Sequence, residues 1–223
     1  MRNGQLIVFE GSEGAGKTTQ LRLLAGRLRA AGFEVLTLRE PGGTALGDAI
    51  RAILLDPVRR ISPEAEALLF MASRAELVRE EIDPALARGV VVLMDRFFLS
   101  TYAYQVDGRG LAENEIRLAN SLATGGLVPD LTLVLDVPAT EGLVRASARG
   151  GHDRIEASGA EFHARVESAF SRFIGDDWQR EHPECGQIVR VNGSGAPEAV
   201  HARVVESLAR NLPESLSMLA KES

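Results

Sequence analysis

The chain has 223 residues and is 45% hydrophobic, which suits one domain with a full core, and its net charge of −6 argues against a nucleic-acid partner. Its one cysteine cannot form an internal disulfide, and its four histidines stand apart from any metal-binding pattern. The longest apolar stretch, at residues 89–94, is too short to cross a membrane, and Glu10 interrupts the apolar run that a signal peptide needs. We therefore expect a cytoplasmic protein without a membrane partner.

Five short aliphatic runs, separated by helix-length segments, predict a parallel sheet. They lie at residues 5–9, 34–38, 90–94, 131–135 and 188–191. Their Val, Leu and Ile residues are continuous rather than alternating, which indicates strands that are buried on both faces. We expect an α/β fold, with a five-stranded parallel sheet and helices on both faces, formed as a single domain over residues 1–212. The polar tail at 213–223 is predicted to be flexible.

Helix signals agree with this order of elements. The first predicted helix has one apolar face, formed by Leu21, Leu24, Ala25 and Leu28. Residues 62–64 read S-P-E and offer an N-cap, a proline at the first helical position and an acid near the positive helix end. They open a helix that should run to about Pro84. The last helix is predicted to begin near Pro197 and to end at about Leu212.

A phosphate-binding loop follows the first predicted strand. Residues 11–18 read G-S-E-G-A-G-K-T and match G-x-x-x-x-G-K-[ST] without a mismatch, directly before the first predicted helix. The glycines let successive N–H groups converge on a nucleotide phosphate. Lys17 would supply charge to the β- and γ-phosphates, and the Thr18 hydroxyl could hold Mg²⁺. The predicted ATP contacts are Gly11, Ser12, Glu13, Gly14, Ala15, Gly16, Lys17, Thr18 and Thr19.

Among proteins with such a loop, the remaining sequence favours a small-molecule kinase. A switch GTPase needs an N-K-x-D motif, but the chain has lysine only at positions 17 and 221. Ring-forming and transport ATPases usually exceed this length. The remaining class is a kinase of the P-loop NTPase fold, with the acceptor site on the same domain.

The carboxyl ends of parallel strands meet at one edge of a sheet, where ligands bind. Arginine suits an acceptor phosphate because its planar fork binds phosphate oxygens bidentately. The arginine candidates are Arg39, Arg51, Arg74 and Arg96. Asp95 ends a buried strand, where an unpaired carboxylate would be costly, so we expect it to face Mg²⁺, its water shell or an arginine. Glu10, immediately before the loop, is a second candidate near the metal.

Several separated motifs together resemble those of bacterial thymidylate kinases, from about Leu6 to Leu212. They are F-E-G-S-E-G-A-G-K-T-T at 9–19, R-E-P-G-G-T at 39–44, Phe70 with Ala72 and Arg74, D-R at 95–96, S-T-Y-A-Y-Q at 100–105, P-D at 129–130 and D-R-I-E at 153–156. The resemblance implies a fold like that of nucleoside monophosphate kinases, with a mobile lid. It also implies ATP and Mg²⁺ as cofactors, dTMP as the acceptor substrate, and a homodimer.

The resemblance also implies a dTMP site that includes Phe70. This residue lies one helical turn before Arg74, so one helix face could present a ring to the base and a guanidinium to a phosphate or carbonyl. Phe70 could otherwise belong to the core; by resemblance it stacks on thymine. Ser100 and Gln105 would contact the base edge and Tyr104 the deoxyribose, all three from a predicted loop. The full dTMP set is Glu40, Pro41, Arg51, Phe70, Arg74, Arg96, Ser100, Tyr104 and Gln105.

Residues 145–157, which combine arginines with a Gly-Gly pair, are predicted to form the lid. Thymidylate kinases place a basic residue either inside the phosphate loop or in the lid. Here the loop position is Glu13, an acid, so the lid should supply the charge. The resemblance then assigns the catalytic role to Arg149, with Arg145 and Arg154 assisting. The predicted catalytic residues are Lys17, Arg149, Asp95 and Arg96, and the predicted metal site is Thr18, Asp95 and Glu10.

The sequence thus predicts transfer of the ATP γ-phosphoryl group to dTMP, giving dTDP and ADP. Another pyrimidine monophosphate, such as dUMP or UMP, remains open as the acceptor because one thymine methyl contributes only about 1–3 kcal/mol to discrimination. A non-catalytic regulator that binds ATP is a further alternative.

Overall fold

Five parallel strands form one sheet in the order β2-β3-β1-β4-β5. Their bounds are β1 Gln5–Glu10, β2 Val35–Arg39, β3 Val91–Asp95, β4 Leu131–Asp136 and β5 Ile188–Asn192. The five predicted strands and their parallel arrangement are confirmed. Phe9 of β1 and Arg39 of β2 both lie opposite Asp95, so the carboxyl ends of the three strands meet at one edge.

The computed structural model describes residues 3–138, 140–142, 145 and 153–212, so Arg149 and the tail at 213–223 lie outside the described residues. The α-helices in this range include α1 Lys17–Ala30, α2 Ala45–Leu55, α3 Pro63–Leu77, α4 Asp83–Ala87, α5 Phe98–Thr101, α6 Glu113–Thr124, α7 Ala160–Phe173, α8 Asp176–Glu181 and α9 Pro197–Asn211. Two π-helical segments span Val78–Ile82 and Tyr102–Gly108. Within the described part of the chain, no helix combines the length and apolar character needed to cross a membrane.

The alternation of side chains along the strands divides the core into two layers. Leu6 and Val8 point into one layer, which α3, α7 and both π-helical segments cover. Ile7 and Phe9 point into the other layer, which α1 and α9 cover. The predicted apolar face of α1 is buried there through Leu21, Leu24, Ala25 and Leu28. Because helices cover both faces, the inner strands β1, β3 and β4 carry almost continuous aliphatic runs.

The helix that begins after Ser62 follows its predicted course. The Ser62 hydroxyl accepts a hydrogen bond from the N–H of Ala65 at 3.3 Å, and Pro63 occupies the first helical position. The chain stays helical from α3 through the first π-helical segment into α4, which contains Pro84. The last helix, α9, also agrees with its predicted bounds.

The segment after β3 is helical, so the prediction of a loop there was wrong. Helix α5 continues directly into the second π-helical segment, which carries Tyr104 and Gln105. Buried apolar residues recur at helical spacing at Phe98, Leu99, Tyr102 and Ala103. The Glu10 carboxylate accepts hydrogen bonds from the N–H groups of Phe97 and Ser100, which have no partner within the helix. A long-range contact therefore supports the start of this helix.

Candidate active site

The phosphate-binding loop connects β1 to α1, as predicted. Gly16 precedes α1 with φ 91° and Gly11 has φ 135°, conformations that glycine adopts without strain. A Cβ at Gly11 would also lie 2.5 Å from the carbonyl oxygen of Leu135 in β4. The loop ends at the N-terminus of α1, where free N–H groups and the helix dipole favour an anion. The geometry suits a bound phosphate.

Lys17 is buried within this loop. Its ammonium group donates hydrogen bonds to the carbonyl oxygens of Gly11 at 2.9 Å and Ser12 at 2.7 Å. Burial, together with the nearby guanidinium of Arg96, lowers the pKa of Lys17 to about 8. The group is still mainly charged at neutral pH, and a neighbouring phosphate would favour that charged form. Lys17 therefore supplies a desolvated positive charge at the loop.

Thr18 and Asp95 bring two oxygen atoms together beside the loop. The Thr18 hydroxyl donates to the Asp95 carboxylate at 2.5 Å. Across the described ranges, no group of three or more His, Cys, Asp or Glu side chains could hold a metal by itself. Mg²⁺ commonly takes one or two protein oxygens and completes its shell with water and substrate phosphates. The Thr18 and Asp95 oxygens fit that mode of binding.

Arg96 lies between the phosphate loop and the helix that follows β3. It has φ 71°, in the left-handed region that side chains other than glycine rarely adopt. Its guanidinium donates to the Gly11 carbonyl at 3.3 Å and the Ser100 hydroxyl at 2.9 Å. It also pairs with Glu13 at 3.3 Å and lies 5.2 Å from the ring centre of Tyr104. One positive charge thus contacts both walls of the site.

Glu10, which the sequence predicts to lie near the metal, has its carboxylate engaged by the residues that follow β3. It is fully buried, and one carboxylate oxygen accepts from the N–H groups of Phe97 at 2.7 Å and Ser100 at 3.0 Å. The other oxygen accepts from the Ser100 hydroxyl at 2.6 Å. Because both oxygens are engaged in this way, Glu10 supports the helix after β3. Ser100, predicted to contact a base, is likewise engaged with Glu10 and Arg96.

A single cavity of about 960 Å³ connects these groups to the rest of the predicted site. The phosphate loop, on β1, occupies its middle, because β1 is the central strand of the sheet. On the side of β2 and β3, the lining residues include Arg39, Glu40, Pro41, Arg51, Phe70, Arg74, Ser100, Tyr104 and Gln105. On the β5 side they include Gln20, Arg145, Gly193, Gly195, Pro197 and Val200. The cavity can therefore hold two ligands that meet at the loop.

Comparison with known proteins identifies the family of this chain. A sequence model of the family described as thymidylate kinase matches residues 9–182. The chain is also 48% identical over 212 residues to thymidylate kinase of Pseudomonas fluorescens strain Pf0-1, covering 95% of this chain and 97% of that protein. The chain belongs to the thymidylate kinase family. The family and kinase class predicted from the sequence are therefore confirmed.

Two further relatives agree. Thymidylate kinase of a Synechococcus species, strain JA-2-3B'a(2-13), is 50% identical over 209 residues, which cover 93% of this chain and 95% of that protein. The crystal structure of thymidylate kinase from Ehrlichia chaffeensis superposes with a TM-score of 0.71 at 31% identity, covering 92% of this chain and 98% of that chain. The predicted P-loop kinase fold is confirmed by this similarity and by the parallel sheet.

Phe70 lies on the cavity wall of this thymidylate kinase family member. Its side chain is partly exposed and lines the cavity, so the alternative that it is a core residue was wrong. Arg51 lies nearby on α2 and donates to the Pro41 carbonyl at 2.9 Å. Both residues are thus in the predicted acceptor region.

Arg74 is buried at the base of the same wall. Its Nε atom donates to Glu40 at 2.9 Å, and an Nη atom donates to the carbonyl of Phe97 at 2.9 Å. A second contact to Glu40 and one to the Asn120 side chain engage further N–H groups. Arg74 thus holds Glu40 and the start of the acceptor wall, which is the cavity lining on the side of β2 and β3. Because most of its donors are used, Arg74 is less free to bind a phosphate than the sequence predicts.

The two described lid arginines lie in different places. Arg145 donates to the carbonyl oxygens of Gly193 at 3.2 Å and Gly195 at 3.3 Å, on the β5 side of the cavity. The Nε of Arg154 donates to the Leu54 carbonyl at 2.8 Å. Arg154 is not among the residues that line the cavity, so its predicted assistance at the phosphates does not fit this arrangement.

Glu66 is a buried carboxylate behind the acceptor wall that sequence reasoning missed. Its exposed fraction is 1%, and it accepts hydrogen bonds from Gln105 and Arg109, each at 3.0 Å. Arg154 forms an ion pair with it at 2.7 Å. Burial alone would raise the pKa of Glu66, but these partners outweigh burial and lower it. The only sequence signal was an acid on an otherwise apolar turn of α3.

The ion pairs of Glu66 should make the stability of the protein sensitive to the Glu66→Gln substitution in a pH-dependent way. We expect Glu66→Gln to lower the free energy of unfolding by about 3 kcal/mol at pH 7, because two arginines lose a buried counter-charge. A carboxyl whose folded pKa is depressed stabilises the protein above its unfolded pKa of about 4.3, and this contribution is lost as pH falls through the folded pKa. The difference between the variant and the wild type should therefore shrink in acid. Urea unfolding of both proteins at a series of pH values measures it, and a constant difference would contradict the prediction.

The residues on the β5 side of the cavity were also missed. The Gln20 side chain donates to the Pro197 carbonyl at 2.9 Å and joins α1 to the start of α9. Gly193 and Gly195 directly follow β5, at the sheet edge where ligands bind. Their place after a parallel strand was the sequence signal for a ligand site. The sequence has few side chains there that would indicate which ligand binds.

Proposed function

We propose that this chain transfers the γ-phosphoryl group of ATP to the 5'-phosphate of dTMP, giving dTDP and ADP. The observation that carries this proposal is the cavity that joins the phosphate loop to the Phe70 wall, with Arg96 between them. A kinase must hold the two phosphates in line, and positioning with charge neutralisation accounts for most of the catalysis. No covalent enzyme intermediate is required.

On the donor side, the loop amides would bind the ATP phosphates and Lys17 would neutralise their charge. Thr18 and Asp95 would hold Mg²⁺, which would neutralise negative charge on the ATP phosphates. The adenine would lie towards β5, against Gln20 and Arg145. The fit of the loop to ATP rests on the conformations of Gly11 and Gly16 and on the buried Lys17.

On the acceptor side, Phe70 offers a ring face for stacking on the base, and Tyr104 a ring beside the sugar. Arg96 lies closest to the loop and would bind the dTMP phosphate. The lid would complete the site, with Arg149 as its catalytic arginine, a role that rests on the resemblance alone. We also propose that residues 1–212 form one catalytic domain with the lid at about 145–157.

One assay tests the acceptor. ADP release is measured with ATP and Mg²⁺ against dTMP, dUMP, UMP, dCMP and dGMP. The highest kcat/KM is expected for dTMP. A higher value with another monophosphate would reassign the substrate, and a lack of acceptor-dependent ADP release would favour a non-catalytic regulator.

We further propose a homodimer, formed through an apolar surface on α2, α3 and α6. Helix α3 packs against both other helices. The surface consists of the exposed residues Leu46, Ile53, Leu68, Leu118 and Leu122. Large exposed apolar side chains on neighbouring helices are a common mark of a protein interface. The cytoplasmic location expected from the sequence stays a prediction.

The double variant Leu118→Glu, Leu122→Glu is expected to be monomeric, since the dimer interface would have to desolvate four carboxylates, two from each protomer. Sedimentation velocity at micromolar concentration measures the change. Val58→Glu, at an exposed residue outside this surface, is the matched control and should remain dimeric. An unchanged dimer in the double variant would place the interface elsewhere.

A further inference from the structure

The side-chain amide of Gln105 can present two different groups to the acceptor cavity. Its NH₂ group donates hydrogen bonds and its carbonyl oxygen accepts them, so the direction of the amide determines which base edge it can bind. Gln105 is 1% exposed and lines the cavity. Its Nε2 atom lies 3.0 Å from Oε1 of Glu66. An ionised carboxylate only accepts hydrogen bonds, so the NH₂ end must face Glu66 and the carbonyl oxygen must point the other way.

The surroundings keep Glu66 ionised and fixed in place. Arg109 donates to both of its oxygens, at 3.0 Å and 3.1 Å, and Arg154 pairs with one of them. The Arg109 guanidinium is itself held 4.3 Å from the ring centre of Phe162 on α7. Glu66 also lies one helical turn before Phe70 on α3, so the same helix carries the proposed stacking ring.

We propose that Glu66 is a positioning residue that sets the base specificity of the acceptor site through Gln105. By directing the Gln105 carbonyl oxygen to the cavity, it favours a base with a ring N–H beside a carbonyl, such as thymine or uracil, over cytosine. This inference rests on the proposed function.

The chemistry of the neighbouring side chain agrees. Arg74 can only donate, and it lines the same wall as Gln105. A donor beside an acceptor complements the C4 carbonyl and N3–H of thymine or uracil. Cytosine presents an amino group and an unprotonated N3 at these positions, so each contact would oppose like groups. A site with buried polar groups rejects such a mismatch strongly, because its groups are left without partners.

The isosteric variant Glu66→Gln gives the sharpest test. Its amide must place an NH₂ at one of the two former oxygen positions. At the Oε2 position the NH₂ would face N–H groups of Arg109 and Arg154, neither of which can accept a hydrogen bond. At the Oε1 position it would face one such N–H, from Nε of Arg109, together with Gln105, which can turn its amide and accept. The variant should therefore reverse Gln105 and present its NH₂ group to the cavity.

The measurement is kcat/KM for dTMP and for dCMP with the full-length enzyme and saturating ATP. For Glu66→Gln, we expect the ratio of dTMP to dCMP to fall at least tenfold, with an absolute gain for dCMP. Arg109→Met is the matched control, because it removes a Glu66 partner and lowers stability while keeping the contact to Gln105. Its melting temperature should fall and its ratio should stay within twofold of the wild type.

A double variant completes the test. In a Gln105→Met background, adding Glu66→Gln should leave the ratio unchanged, because the group that Glu66 orients is absent. An unchanged ratio in folded Glu66→Gln, or an equal fall in Arg109→Met, would overturn the inference. If Glu66→Gln does not fold, a wild-type ratio in Gln105→Met overturns it equally. Failure of the wild type to phosphorylate dTMP would instead overturn the proposed function.

Discussion

Replacing Lys17 with methionine is expected to lower kcat for ADP release by about a hundred- to a thousandfold, because the phosphate loop loses its buried positive charge. Methionine keeps the length and apolar stem of lysine. Burial already lowers the pKa of Lys17 to about 8, which means that the surroundings disfavour its charge. The melting temperature should therefore stay the same or rise slightly while activity is lost.

The chain offers a matched control for this variant. Lys221 is the only other lysine in the sequence, and Lys221→Met makes the same chemical change far along the chain. It should leave kcat and KM within twofold of the wild type. Steady-state kinetics with dTMP and thermal melts of the three proteins decide the matter. Near-normal turnover of Lys17→Met would remove Lys17 from the catalytic machinery.

Replacing Arg96 with glycine is expected to lower kcat/KM for dTMP by about a thousandfold, with only a small effect on stability. The side chain is the positive charge between the phosphate loop and the acceptor wall, through Gly11 and Ser100. Glycine adopts the φ of 71° at this position without strain, which stabilises the folded variant. This gain offsets part of the stability lost with the arginine contacts and with the greater freedom of glycine in the unfolded chain. Loss of activity without unfolding would assign the effect to the guanidinium.

Arg96→Lys separates charge from geometry. It keeps the charge but loses the planar fork, so its kcat/KM should lie between the wild type and Arg96→Gly. Arg172→Lys, at an exposed ion pair with Asp107 outside the cavity, serves as the control and should behave as the wild type. If Arg96→Lys and Arg96→Gly were equally active, the proposed phosphate contact would be wrong.

Most of the fold could be predicted because the determining signals are local. The inner strands β1, β3 and β4 are almost continuous aliphatic runs, since both faces of the sheet are covered there. The phosphate loop needs its glycines at fixed spacing next to Lys17, and the Ser62 helix carries its own N-cap. These features depend on residues within a few positions of one another, so the local sequence is sufficient to predict them.

The structure differs from the sequence prediction where distant residues decide the local structure. The helix after β3 is supported at its start by Glu10, about 90 positions away in the chain, and the sequence predicts a loop and a metal ligand in their place. Arg154 lies close to the lid motif in sequence, but its charge is paired with Glu66 on α3. Arg74 lies on the predicted helix face, yet Glu40, Phe97 and Asn120 together engage most of its donors.

The order of the strands and helices, the phosphate loop and the family could therefore be read from the sequence alone, because periodicity and motif spacing are properties of neighbouring residues. Which charges can act on a ligand and which are paired depends on the three-dimensional fold. A buried charge must find a partner wherever the fold brings one close, at almost any separation in the chain. Glu66 illustrates this, since its three partners come from two segments that lie about 40 to 90 residues further along.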